Sequence, residues 1–175
     1  LLIFSLLLLG AFSQAQITAT TNNNGNQLAQ ILSGNGVTIS NVVMTCPNGA
    51  AGTFHCGNCN LGMTDGIVLT TGSDTMVQGP NNIGSQGFDN LATGDPILNS
   101  LAGATTHDAC ALEFDMNVLS DSVQFRYVFG SEEYPEWVNS GYNDAFAFYI
   151  SGPGITGQQN IALVPGTNIP VTIDN

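Results

Sequence analysis

Two neighbouring stretches of the chain alternate strictly between apolar and polar residues, and this alternation limits the fold more than any other feature. In 110–118 and in 123–129, apolar side chains occupy every second position. A period of two residues places those side chains on one face of a β-strand and the intervening residues on the other. We therefore expect a half-buried antiparallel hairpin here, closed by the four-residue loop at 119–122.

Short apolar segments separated by turn residues make up most of the remaining sequence. Further strands are predicted at 37–43, 66–72, 144–150, 161–164 and 169–173. Loops rich in Gly and Asn are expected at 45–62 and 73–94. Two short helices are predicted at about 27–33 and 96–102, with Asn26 and Asp95 as N-caps. These elements indicate a mainly β fold, an antiparallel β-sandwich or jelly-roll-like domain with two short helices.

The chain begins with an apolar run of about ten residues, which is too short to cross a bilayer because a spanning helix needs roughly 20. Ser13-Gln14-Ala15 follows and resembles a cleavage site, so residues 1–15 are interpreted as an N-terminally incomplete signal peptide. We expect a polar lead-in at 16–26 and a single domain over 27–175 that is truncated at its C-terminus. The mature domain is expected to be exported and not inserted in the membrane.

Export determines how the four cysteines are interpreted, because disulfides persist in an oxidising compartment. Two structural disulfides are therefore expected among Cys46, Cys56, Cys59 and Cys110. Three pairings are possible, and the spacing does not choose among them. A direct bond between Cys56 and Cys59 is disfavoured because it would close a very short loop. Free thiols or a metal site are the alternatives.

A single basic residue, Arg126, stands against 13 acidic residues, and the formal net charge is −12. This balance excludes nucleic-acid binding through a basic surface and electrostatic docking on an anionic membrane. If the alternating strands form a hairpin with both apolar faces on one side, Arg126 lies across from Asp115, or from Glu113 after a two-residue shift. We therefore predict a cross-strand ion pair between Arg126 and one of these carboxylates.

Eight of the 13 acidic residues lie between positions 108 and 144. Asp144 has the same strand parity as Phe146 and Phe148, so its carboxylate is directed toward the core, where an unpaired charge is costly. Because basic residues are scarce, we expect an external cation, and ligands made only of oxygen favour Ca²⁺. The predicted calcium ligands are Glu132, Glu133, Asn143, Asp144 and Asp108. The alternative is that these side chains cap turns or lie in water.

Aromatic residues accompany the acidic cluster. Tyr134, Trp137 and Tyr142 surround it, and Trp137 is the single tryptophan of the chain. An exposed aromatic face can stack on a sugar ring or anchor a protein partner, so these three residues are the predicted ligand-binding residues. The alternative for Trp137 is that it fills the end of the sandwich.

Three strings of residues carry a specific resemblance. They are DACALEFDM at 108–116, FRYVFGSEEY at 125–134 and SEEYPEWVNSGYNDAFAFYISGPG at 131–154. The chain resembles, from about Gln27 to its end, the choice-of-anchor L domain of secreted bacterial proteins. This resemblance implies a cell-surface module of Bacteroidetes-type bacteria, often followed by gliding-motility or type IX sorting segments. We expect this chain to stop before such an anchor, with downstream domains missing from it.

The sequence therefore predicts a secreted or cell-surface binding or adhesion module that depends on calcium and binds an extracellular glycan or surface protein. The alternative is a ligand-free structural spacer of a larger surface protein. A carboxylate-based hydrolase is a third hypothesis. No enzyme activity and no catalytic residue are predicted, because the chain contains no nucleophile elbow, zinc-protease motif or phosphate-binding loop.

Overall fold

The computed structural model describes residues 17–175, so the signal peptide predicted at 1–15 lies outside the described residues. In chain order the elements are β1 (Ile17–Thr21), α1 (Gly25–Leu32), β2 (Val37–Thr45), β3 (Ala51–Cys56), β4 (Asp65–Leu69), α2 (Pro96–Ala102), β5 (Ala111–Val118), β6 (Tyr149–Ile150) and β7 (Gln159–Asn160). A 3-10 helix, Asp74–Gln78, follows β4. These elements confirm a mainly β, antiparallel fold with two short helices. Within the described range, no helix is long and apolar enough to cross a membrane.

The strands form three antiparallel sheets, in the orders β1-β3-β4, β2-β5 and β6-β7. Two of the longer strands lie where the sequence predicted none: β1 is in the polar lead-in, and β3 is in the expected loop at 45–62. Both strands contain few large aliphatic side chains, and β3 begins with the buried small residue Ala51. Small residues give little hydrophobic periodicity, which is why the pattern did not indicate a strand.

The predicted hairpin between 110–118 and 123–129 is wrong, because β5 takes β2 as its partner. Val37 lies opposite Val118 and Thr45 lies opposite Ala111, with a bulge between Ser40 and Val43. Alternation in β5 itself is confirmed, since its residues alternate between half-buried and exposed from Leu112 onward. The two-residue period of a strand determines which side chains share a face. It does not determine which other strand forms hydrogen bonds with it.

The 123–129 segment packs through its aromatic side chains and forms no β-ladder within residues 17–175. The ring centroids of Phe125 and Phe148 are 4.7 Å apart, and those of Tyr127 and Phe146 are 5.1 Å apart. Phe129 also lies 6.4 Å from Phe146. The 123–129 segment therefore packs through side chains against the aromatic residues of 144–150, where the sequence predicted backbone pairing with 110–118.

The helices follow their predicted positions closely, and their caps explain where they begin. The Asp95 carboxylate accepts hydrogen bonds from the backbone N–H groups of Ile97 and Leu98, and Pro96 occupies the first turn. Helix α1 begins at Gly25, two residues before its predicted start, because Asn24 caps it in place of Asn26 and accepts from the N–H of Gln27. Helix α1 contacts β2, β5 and β4, so it packs against strands of both larger sheets.

Two disulfides join the four cysteines. Cys46–Cys110 connects the ends of β2 and β5 across 64 residues of sequence, and Cys56–Cys59 closes the end of β3. The expectation of two disulfides is confirmed, but the objection to a direct Cys56–Cys59 bond was wrong. The chain bends immediately after β3 and brings the two Cα atoms to 5.4 Å, which is the usual separation for bonded cysteines.

Asp74 is fully buried directly against the backbone of β3. Its Oδ1 accepts a hydrogen bond of 2.8 Å from the Thr21 hydroxyl, and its N–H donates to the Gly49 carbonyl. A Cβ on Gly52 would overlap both Asp74 Oδ2 and the Thr20 carbonyl oxygen. Only glycine therefore lets the buried carboxylate and the sheet pack this closely.

We predict that Gly52→Ala lowers the free energy of unfolding by about 2 kcal/mol or more, because backbone and a buried carboxylate cannot move aside cheaply. Urea unfolding followed by circular dichroism measures the change. Gly34→Ala is the matched control, since no atom lies within 4 Å of its added Cβ. The control is expected to stay within about 0.5 kcal/mol of the parent. Equal stability of the two variants would contradict this packing.

Candidate functional site

The acidic loop, defined as residues 131–144, has its two ends held together by a hydroxyl group. The Ser131 hydroxyl donates to Asp144 Oδ2 over 3.3 Å and accepts from the Glu133 N–H over 3.2 Å. The Asp144 end is also fixed by backbone pairing, because the Asp144 carbonyl accepts from the Ile173 N–H. The two stems of the loop therefore bring the Glu133 and Asp144 carboxylates into one place.

Both carboxylates are costly to ionise there. Burial raises the pKa of Asp144, and the hydrogen bond from Ser131 offsets part of that rise. Burial also raises the pKa of Glu133, and the charges of Asp144 and then Glu132 raise it further. Glu133 Oε2 is buried and has no hydrogen-bond partner within the described chain. The site thus combines repulsion between like charges with an unsatisfied oxygen.

Arg126 does not neutralise this site, and the predicted ion pair with Asp115 or Glu113 is not formed. The Arg126 guanidinium donates to the Gly62 carbonyl over 2.8 Å, and the ion pair present among residues 17–175 joins His55 and Asp65. Because β5 pairs with β2, Asp115 lies opposite Ser40 and Glu113 lies opposite Val43. Asp115 instead accepts from the Asn41 amide over 2.6 Å.

Two of the five predicted calcium ligands are bound to other groups. Asp108 is nearly buried and accepts from the N–H groups of Asn90 and Ala92, so its carboxylate holds a loop together. The Asn143 amide donates to the Ala102 carbonyl and accepts from the Asp174 N–H. Both side chains cap backbone groups, which is the alternative that the sequence analysis left open.

The remaining three predicted ligands, Glu132, Glu133 and Asp144, interact electrostatically. In the described part of the chain, no group of three or more His, Cys, Asp or Glu side chains is arranged to hold a metal ion. A cation at Glu133 and Asp144 would therefore draw its other ligands from backbone carbonyl, hydroxyl or water oxygens. Ca²⁺ accepts such ligands readily, whereas zinc sites need nitrogen or sulfur donors. Calcium at this position stays a prediction.

The tip of the acidic loop presents aromatic rings beside a small cavity. Trp137 and Tyr142 pack edge to face with centroids 5.2 Å apart, and Tyr142 is 60% exposed. The Trp137 indole N–H donates to the Gly84 carbonyl over 2.6 Å, which ties the loop to a second segment. A cavity of about 260 Å³ lies between them and is lined by Gly84, Ser85, Glu136 and Trp137.

Tyr134 differs from the other two predicted ligand-binding aromatics. Its hydroxyl donates to the Thr172 carbonyl over 3.0 Å, and its ring packs against Phe129. Burial and the nearby Asp174 charge raise the pKa of the Tyr134 phenol. Tyr134 therefore anchors the loop to the C-terminal segment although part of its ring is exposed, whereas Tyr142 is the most exposed of the three rings and Trp137 is half-buried.

A second polar site, which was not predicted from the sequence, lies on the β1-β3-β4 sheet. His55 Nδ1 is 2.7 Å from Asp65 Oδ1, and both side chains are more than half exposed. A groove of about 330 Å³ beside them is lined also by Thr18, Thr20 and Thr53. The pair could have been predicted only if 51–56 had been recognised as a strand, because His55 and Asp65 meet through the β3–β4 register.

Comparison with known proteins gives one match. A family model described as the choice-of-anchor L domain matches residues 16–175, which is nearly the whole chain. No curated protein and no solved structure matches the chain.

We predict that lowering the pH from 7 toward 4 in the presence of a chelator reduces a destabilising contribution from Glu133 and Asp144. Because the folded state raises both pKa values, it binds more protons than the unfolded state above about pH 4, so this contribution to stability falls as pH rises. Melting temperatures of Glu133→Gln and Asp144→Asn should change less over this range than those of the parent. Asp121→Asn removes one exposed charge elsewhere and should follow the parent. Identical profiles for all four proteins would contradict the prediction.

Proposed function

This chain belongs to the choice-of-anchor L domain family, and from that premise we propose that it is a non-catalytic, calcium-dependent binding module whose ligand is an extracellular glycan. Membership of the family implies an extracellular or cell-surface protein. The calcium dependence and the ligand class are our proposal, and both rest on the geometry of the acidic loop.

The observation that carries the proposal is the unsatisfied Glu133 Oε2 beside the Asp144 carboxylate. Two carboxylates brought together in a partly buried position need a proton or a cation. The only Arg or Lys side chain of this protein is bound to the Gly62 carbonyl, so an internal counter-ion is lacking. Extracellular modules bind Ca²⁺ with dissociation constants of about 0.1–1 mM, so calcium outside the cell is abundant enough to fill such a site.

Calcium at this position would act on the shape of the whole loop. Glu133 and Asp144 stand at opposite ends of it, and their repulsion tends to separate the two stems. A divalent ion between them would replace that repulsion by attraction and hold the stems closed. Trp137 and Tyr142 lie between the stems, so a closed loop would present both rings in one fixed orientation.

The surface at the loop tip has the composition of a glycan-binding site. It combines the exposed Tyr142 ring and the Trp137 edge with the Glu136 carboxylate and a cavity of about 260 Å³. Sugar-binding surfaces use an aromatic face against the apolar side of the ring and a few polar groups that fix its orientation. Glu136 can accept hydrogen bonds from sugar hydroxyls.

We predict that 10 mM Ca²⁺ raises the melting temperature at pH 7 by about 3–5 °C relative to a chelator. This shift corresponds to a dissociation constant of about 1 mM, which stabilises the folded state by about 1.4 kcal/mol. Differential scanning calorimetry measures it. Glu133→Gln and Asp144→Asn should each abolish the shift, whereas Glu113→Gln, an exposed acid on β5, should retain it. If calcium leaves the melting temperature of the parent unchanged, the calcium part of the proposal is wrong.

We also predict that Tyr142→Ala weakens glycan binding about tenfold or more, because exposed aromatic anchors carry a large share of binding energy. Binding is measured on a glycan array in calcium and confirmed by titration calorimetry with the strongest hit. Trp137→Phe is the matched variant for the indole hydrogen bond to Gly84, since it keeps a ring and removes the N–H donor. It should reduce binding less than Tyr142→Ala.

Three results would contradict the glycan proposal. An array on which the calcium-loaded parent binds nothing would favour the ligand-free spacer. Binding that survives the loss of both rings would place the ligand elsewhere on the protein. Release of sugar products that depends on Glu132 or Glu133 would favour the hydrolase and overturn the non-catalytic assignment.

A further inference from the structure

The β3–β4 loop, residues 57–64, contains Cys59, whose disulfide with Cys56 contributes little to the stability of the fold. Cys56 and Cys59 are three residues apart, whereas Cys46 and Cys110 are 64 residues apart and join two strands. A disulfide stabilises a fold mainly by restricting the unfolded chain, and this effect grows with the length of the closed loop. The Cys56–Cys59 bond is therefore the one whose opening disturbs the fold least.

The two sulfur atoms of this pair differ in how they can be reached. Cys56 is the last residue of β3 and only 4% of its surface is exposed. Cys59 is half-buried in the loop, and its neighbours Asn58 and Asn60 are exposed. An incoming thiolate would therefore meet Cys59 Sγ first, and Cys56 would be the leaving group.

An oriented imidazole lies beside the same pair. The Asp65 carboxylate accepts from the Nδ1–H of His55, and this hydrogen bond lowers the pKa of Asp65. Nδ1 is thereby the donor, and Nε2 of the neutral ring keeps a free lone pair. Nε2 lies about 4.0 Å from the position that a Cβ on Gly57 would occupy, between the two cysteines in sequence.

The only Arg or Lys residue of the chain is also placed on this loop. Arg126 comes from a distant segment and donates to the Gly62 carbonyl. Gly62 is three residues from Cys59, which limits their separation to about 11 Å. Because the screening length at physiological salt is about 8 Å, this positive charge favours a thiolate over a thiol mainly at low ionic strength.

We propose that Cys56–Cys59 is a thiol–disulfide exchange site, with Cys59 as the attacked sulfur and a thiol as the substrate. His55 Nε2 accepts the proton of the incoming thiol RSH, and the thiolate RS⁻ attacks Cys59 Sγ. The Cys56–Cys59 bond breaks, the RS–S bond to Cys59 forms, and the electron pair remains on Cys56 Sγ, which takes the proton from His55. A second RSH attacks the R sulfur, releasing RSSR and the Cys59 thiol. Two thiols are thus oxidised and one disulfide is reduced.

The first test compares the two disulfides within the folded protein. The parent is incubated with reduced glutathione at pH 7.5, trapped with an alkylating reagent and analysed by peptide mass spectrometry. Cys56–Cys59 should be reduced at least tenfold faster than Cys46–Cys110, which is the internal reference. Equal rates, or faster reduction of Cys46–Cys110, would overturn the proposal.

Two single variants then identify the attacked sulfur. Cys56→Ser leaves Cys59 as a free thiol and Cys59→Ser leaves Cys56, so both variants lose the same bond. With oxidised glutathione, Cys59 should form the mixed disulfide at least tenfold faster than Cys56. Similar rates, or faster reaction of Cys56, would overturn the assignment of Cys59. Retention of the Cys46–Cys110 bond and of the parent circular dichroism spectrum shows that both variants are folded.

Variants of the neighbouring groups separate their roles in the exchange. His55→Gln should slow reduction of the parent disulfide about tenfold at pH 7 and flatten the dependence of the rate on pH, because the proton acceptor is lost. Arg126→Gln should slow it about twofold at low ionic strength and have little effect at physiological salt, because the amide keeps a donor for Gly62 without the charge. An unchanged rate and pH profile in His55→Gln would overturn the role given to His55.

Discussion

The scarcity of positive charge determines how this protein accommodates its acidic residues. Carboxylates that are buried or lie in turns need hydrogen-bond donors, and with one Arg and no Lys the backbone must supply them. Backbone N–H groups donate to Asp89, Asp95, Asp108 and Asp174. A threonine hydroxyl donates to the buried Asp74. Each of these acids thereby holds a loop, a helix end or a strand junction in place.

Glu133 and Asp144 differ from Asp74, whose buried Oδ2 also lacks a donor, because their two carboxylates lie close enough to repel each other. A single hydroxyl, that of Ser131, connects the two stems, while Glu133 Oε2 lacks a donor. The Tyr134 and Trp137 anchors hold the loop to other segments through their polar atoms. The loop is therefore positioned by hydrogen bonds to neighbouring chain segments. The repulsion between the Glu133 and Asp144 carboxylates remains, and a bound proton or cation would reduce it.

Two regions with different chemistry lie on separate parts of the fold. The acidic loop collects carboxylates and exposed aromatic rings, which suits a cation and a sugar. The β3–β4 loop collects a short disulfide, the oriented His55 and the only guanidinium, which suits a thiol. The bulge in β2 and the choice of β2 as partner for β5 leave Arg126 free of Asp115, so that it reaches Gly62. One strand pairing thus separates the positive charge from the carboxylates of β5.

The sequence by itself determined the mainly β class, both helices and the alternation of half-buried and exposed residues along β5. It also determined that there are two disulfides, without their pairing, and that acidic residues are concentrated around 131–144. These properties follow from local periodicity, capping residues and composition, which act over a few residues. Only the tertiary structure decided that β5 pairs with β2, that Asp108 and Asn143 cap backbone groups, and that His55 meets Asp65. Those outcomes depend on contacts between distant segments, where many partners satisfy the same local pattern and packing of the whole chain selects one.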